Sequence, residues 1–142
     1  VKSEPCWTAM VAFESRVDAP DTLADEGAIG WAARNSAKPG RDADRECWVI
    51  QANPRWSRAQ LEREAENVGE ELLAHFARAV GNLPPVLFSS AHRWRYAKSE
   101  KNDAGALWDD GLRIGVCGDW LSGPRVENAF LSGLALARRI AG

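Results

Sequence analysis

Trp7-Thr8-Ala9-Met10-Val11-Ala12-Phe13 alternates along its whole length. Trp7, Ala9, Val11 and Phe13 fall on one face, and Thr8, Met10 and Ala12 on the other. A period of two is that of a strand, and one heavy apolar face suits an antiparallel sheet. Working outward, residues 28–34 form a short apolar run around Trp31 and read as a second strand. Residues 47–52 read as a third. Residues 15–27 carry Pro20 with Asp18, Asp21, Asp25 and Glu26, and read as a solvated connection. Residues 35–45, with the Lys38-Pro39-Gly40-Arg41 turn signal, form a polar loop. The three strands together are expected to make a meander with one long connection.

A helix is expected over residues 57–80. Ser57 is its candidate N-cap, and Gln60 three residues on completes a capping box. Leu61, Ala65, Val68, Leu72, Phe76 and Val80 recur at helical spacing, with Glu62, Glu64, Glu66 and Glu70 on other faces. Gly81-Asn82 ends the run and Pro84-Pro85 forbids its continuation. A further strand opens at Val86 and runs toward Tyr96, a polar loop covers 98–105, and an apolar strand covers 112–117. A last helix follows Pro124, a residue tolerated in a first helical turn, and is expected to bury Val126, Phe130, Leu134, Ala137 and Ile140. The fold class expected is α+β. Residues 1–105 form a mostly antiparallel sheet with a long packed helix, and 106–142 a terminal strand and helix.

Composition narrows the function. Charged residues make up 27% of the chain, an ordinary globular share. A net charge of -2 argues against a nucleic-acid partner, which calls for a basic face. No apolar run approaches the length of a membrane span. Cys6, Cys47 and Cys117 are odd in number and far apart, so no disulfide framework or metal spacing arises from them, and no metal is expected. Free thiols suit a reducing cytoplasm. The chain opens on Val1 and runs directly into a strand, which leads us to expect an excised segment of a longer protein.

The strongest site signal is a strand, then Gly118-Asp119, then Gly123-Pro124-Arg125-Val126 opening a helix. A carboxylate at a strand end accepts hydrogen bonds from sugar or ribityl hydroxyls. A helix start offers free N–H groups and partial positive charge to an electron-rich group. By residues alone the same pattern also reads as a plain turn with Asp119 as its cap.

Gly115-Val116-Cys117-Gly118-Asp119-Trp120, followed by Gly123-Pro124-Arg125-Val126-Glu127-Asn128-Ala129 and Ser132-Gly133-Leu134-Ala135, resembles the terminal flavin-binding motif of renalase-like proteins, within the flavin amine-oxidase group. Pro5-Cys6-Trp7, residues 34–41, Ala52-Asn53-Pro54-Arg55-Trp56-Ser57 and His92-Arg93-Trp94-Arg95-Tyr96 resemble the same family, in the same order. The resemblance implies an FAD-dependent oxidoreductase, a flavoprotein that takes hydride from a nicotinamide-type or amine substrate and delivers electrons to oxygen. It also implies a Rossmann-type segment with a Gly-x-Gly-x-x-Gly pyrophosphate turn. No such turn occurs here. The chain is therefore expected to be a C-terminal fragment, inactive alone, whose partner is the N-terminal FAD-binding half of the same protein. Its other expected partners are a small-molecule substrate and a second copy in a homodimer. By the same resemblance Gly118, Asp119, Gly123, Pro124, Arg125, Val126 and Trp94 would face the flavin. Arg95, Tyr96, Asn35 and Lys38 would lie toward substrate. The rival expectation is a stand-alone module that binds a small apolar ligand or dimerises without catalysis.

Overall fold

The computed structural model describes residues 2–42, 44–100 and 102–142. Its elements are β1 (Ser3–Phe13), β2 (Thr22–Glu26), β3 (Ile29–Arg34), β4 (Glu46–Ala52), α1 (Pro54–Ala59), α2 (Ala65–Val80), β5 (Val86–Ser99), β6 (Leu107–Asp109), β7 (Ile114–Val116) and α3 (Val126–Ala141). The fold is α+β. A five-stranded antiparallel sheet runs in the order β2-β3-β4-β1-β5, and β6 and β7 form a separate two-stranded sheet. The chain divides into two compact units, Pro5–Arg95, and Tyr96–Gly142 with Val1–Glu4. The sequence places its division at 105/106. In the structure the chain passes from one unit to the other between Arg95 and Tyr96.

In the Pro5–Arg95 unit, strand alternation decides which side chains enter the core. Trp7, Ala9, Val11 and Phe13 of β1 are buried, as are Trp48, Ile50 and Ala52 of β4. Helix α2 covers that face with Val68, Leu72 and Phe76. The Phe76 ring lies 4.9 Å from Trp48 and 6.5 Å from Phe13. Gly69 brings α2 close to β5, since a Cβ there would stand 3.1 Å from that of Ala91.

Three expectations about this unit need correction. The strands are not a meander in chain order. β1 pairs with β4, with Ala9 opposite Ile50 and Val11 opposite Trp48, so β4 lies between β3 and β1. The presumed loop 15–27 contains β2, which forms a hairpin with β3. Its side chains are mostly exposed, so backbone pairing makes the strand and no apolar pattern marks it. The helix expected over 57–80 is two helices. Asn53 caps α1, its Oδ1 accepting from the Trp56 N–H at 2.8 Å, with Pro54 in the first turn. Ser57 is buried inside α1 and its Oγ accepts from the Trp7 N–H at 3.0 Å, so it is no cap. Between the helices, side chains from the sheet take the backbone carbonyls. Trp7 Nε1 donates to Gln60 O at 3.1 Å, and Arg93 Nη1 to Leu61 O at 2.5 Å.

A polar group is also buried in this unit. The Arg34 guanidinium donates to Glu46 Oε1, to Asp21 Oδ1 at 2.7 Å, and to the carbonyls of Val17 and Ala19 at 3.1 and 2.8 Å. Glu46 Oε1 also accepts from Trp48 Nε1 at 2.7 Å and from the Val17 N–H at 3.1 Å. A buried ion pair persists only when its remaining hydrogen-bonding capacity is met, and here it is.

The Tyr96–Gly142 unit is thinner. β6 and β7 pair antiparallel, Trp108 opposite Gly115, so the strand expected over 112–117 is shorter and already has a neighbour within the chain. Leu112 lies in the preceding turn, its N–H donating to Asp109 Oδ1 at 2.8 Å. Helix α3 meets this hairpin through a mixed stripe. Leu136 packs so closely that a Cβ on Gly115 would stand 2.6 Å from its Cδ1. Ser132 Oγ accepts from the Gly118 N–H at 3.0 Å and donates to Gly105 O. Arg139 Nη1 donates to Ala106 O at 2.7 Å. The face expected to be buried is the exposed one. Val126 is 91% exposed and Phe130 69%, and Leu134, Ala137 and Ile140 are exposed too. Two three-residue strands offer too little surface to cover a sixteen-residue helix.

Candidate functional site: the turn that opens the last helix

Gly118 leads from β7 into a single 3-10 turn, Asp119–Leu121. The Asp119 carbonyl accepts from the N–H groups of Ser122 at 2.9 Å and Gly123 at 2.5 Å. Leu121 is fully buried and its carbonyl accepts from the Gly105 N–H at 2.9 Å, which anchors the turn. Gly123 has φ of +120, a conformation that L side chains rarely adopt, so glycine is required where the chain reverses into the helix. Asn128 reaches back from the first turn of α3. Its Nδ2 donates to Gly123 O at 3.1 Å and to Ser122 O at 3.3 Å, closing the loop from behind.

Arg125 is the N-cap residue, extended, with no side-chain cap hydrogen bond. Asp119 therefore does not cap α3, and the first N–H groups of the helix have no capping side chain. Pro124 precedes the cap instead of lying in the first turn, because the extended Arg125 delays the helix start. Lys98, Ser122, Gly123, Pro124, Arg125 and Asn128 line an open cleft of about 600 Å³ at this point. The cations Lys98 and Arg125 and the positive end of α3 place positive charge beside it. Lys98 belongs to the end of β5, which runs on to Ser99, and not to the polar loop expected from residue 98. Neither Lys98 nor Asn128 stands out in the sequence. Asn128 signals only through its offset from the Gly123-Pro124 turn.

The remaining candidates are on other elements. Trp94 is on β5, 54% exposed, its ring edge-on to His92 at 4.5 Å. Arg95 makes a bidentate pair with Glu62, both contacts at 2.8 Å. That guanidinium, with Arg93 beyond it, holds the Glu62 carboxyl below its ordinary range. Tyr96 is 84% exposed. Asn35 opens a short 3-10 turn after β3, and the exposed Lys38 follows it. Two strands, β4 and β1, separate β3 from β5 in the sheet, so Asn35 and Lys38 do not converge with Trp94 and Arg95.

No family model matches the chain. Among the described residues, no helix is long and apolar enough to cross a membrane.

Proposed function

We propose that the chain is the C-terminal part of an FAD-dependent oxidoreductase of the renalase-like, flavin amine-oxidase type, and that it is inactive without the half carrying the pyrophosphate turn. The observation that carries this reading is the Gly118-to-Val126 turn. It sets an uncapped helix start and two cations, Lys98 and Arg125, beside one cleft, with the Asp119 carboxylate in the 3-10 turn just before it. This donor set fits the electron-rich pyrimidine side of a flavin. A bound flavin supplies the hydride acceptor and the route of electrons to oxygen. The residues of this chain bind and orient. Asp119 accepts a hydrogen bond from a ribityl hydroxyl. The N–H groups of the first turn of α3, from Val126 on, point donors at the pyrimidine edge, and Gly118, Gly123, Pro124 and Arg125 shape the turn that presents them. Trp94 and Tyr96 present aromatic surface on the substrate side. Arg95 reaches an anionic substrate only when its pair with Glu62 opens. Asn35 and Lys38 follow β3, two strands away from β5, and take no part in this reading. The exposed apolar face of α3 supports a second reading, a dimerising module without catalysis.

The test is flavin retention in the protein reunited with its dinucleotide-binding half. Asp119→Ala should weaken FAD binding by roughly one to two powers of ten, through loss of a charged acceptor. Asp119→Asn should be milder, because an amide oxygen still accepts. Equal FAD titration of wild type and Asp119→Ala would reduce Asp119 to a turn residue. A reunited protein that binds no flavin would end the reading.

A further inference from the structure

Strand β5 is fourteen residues long and stands at the end of the sheet order, so among the described residues its second edge has no strand partner. Long, flat, apolar edges are templates for pairing with another chain. Alternation sorts β5 into two faces. Ala91, Arg93 and Arg95 turn toward the helices: Ala91 lies under Gly69, Arg93 over the Trp7 ring at 5.5 Å, and Arg95 against Glu62. Val86, Phe88, Trp94 and Tyr96 share the opposite face and are all exposed, Phe88 at 58%.

We propose that β5 pairs antiparallel with β5 of a second copy about a twofold axis at Ala91, joining two five-stranded sheets into one. The pattern of β5 is self-complementary in this register. Phe88 faces the partner's Trp94 and Val86 faces the partner's Tyr96, and the symmetry makes each pair twice. No two like charges oppose each other. His92 faces the partner's Ser90, Arg93 the partner's Ser89, and Arg95 the partner's Leu87. Charge is also compatible across the axis. Ser89 and Ser90 line a groove with Glu66 and Glu70 of α2, and the strand that faces it carries the cationic Arg93, whose guanidinium stays on its own Leu61 carbonyl and Glu62. An axis at Arg93 would set the two Arg93 side chains against each other and lose both aromatic pairs. This pairing does not depend on the flavin reading.

The experiment is sedimentation of the purified chain at micromolar concentration, where the mass should be twice 15.6 kDa. Phe88→Lys, at an exposed position, should weaken the dimer about tenfold or more, since the lost pair occurs twice. Phe130→Lys on α3 should leave it intact. Facing residues of antiparallel strands lie within disulfide reach. Ser90→Cys with His92→Cys, in a Cys117→Ser background, should therefore give a covalent dimer on oxidation. A monomer overturns the proposal. So does a dimer that Phe130→Lys abolishes and Phe88→Lys spares, or one that the paired cysteines fail to cross-link.

Discussion

Helices α2 and α3 are each sixteen residues long and both carry an apolar stripe at helical spacing, yet they end in opposite states. α2 seats Val68, Leu72 and Phe76 against a sheet that excludes water from all three. α3 turns Val126 and Phe130 outward and holds its hairpin through Ser132, Leu136 and Arg139. The units they belong to differ in the same way. Among the described residues, fifteen buried apolar side chains lie in Pro5–Arg95, and only Ala106 and Leu121 lie in the other unit. Amphipathic spacing shows that a helix has an apolar face. Whether the same chain supplies the cover depends on how much sheet is within reach, which spacing does not encode.

The largest expected effect separates the two helices directly. Phe76→Ala should cost about 3–5 kcal/mol, because it empties a close-packed site between Trp48 and Phe13. Phe130→Ala should stay within about 0.5 kcal/mol, as an exposed substitution does. Denaturant midpoints decide it, and equal costs would mean that α3 is covered after all. The next contrast lies in the helix starts. Asn53→Ala should cost about 1 kcal/mol through loss of the bond to the Trp56 N–H. Arg125→Ala should cost almost nothing, since Arg125 caps α3 without a side-chain bond. A cost at Arg125 comparable to that at Asn53 would show a cap the geometry lacks.

The smallest effect is a matter of pH. Arg95 lowers the Glu62 carboxyl from its ordinary value. A lowered folded value means that the pair stabilises the fold above the unfolded pKa of about 4.3, and that the gain fades as pH falls through the folded value. Glu62→Gln should be slightly less stable than wild type near neutrality and equal to it in acid. The pair is exposed, so the gap should be small. A gap that persists unchanged into acid would assign the effect to packing rather than charge.

The elements that could be read in the sequence are those whose burial has one period. β1 and β4 alternate because one face is sealed, and the Val68-Leu72-Phe76 stripe of α2 is the helical counterpart. β2 escaped because its pairing is made by the backbone while its side chains face water. The break between α1 and α2 escaped because distant side chains cause it, Trp7 and Arg93 taking carbonyls more than thirty positions away. Asn53-Pro54 is a cap signal visible in the sequence, but Ser57, an equally good cap by type, competes with it. At the candidate site the turn itself is legible, since Gly123 and Pro124 impose it. Lys98 is not, because its place beside Arg125 comes from the return of the chain and not from any local pattern.

Arg34 has a consequence of another kind. Between β1 and β2 the backbone carries no regular structure, yet the carbonyls of Val17 and Ala19 and the Val17 N–H all end on Arg34 or its partner Glu46. The order of that surface stretch is thus lent by side chains rooted in two neighbouring strands. Resistance to a protease at residues 15–21 is accordingly set from within the sheet, by a guanidinium the enzyme never touches.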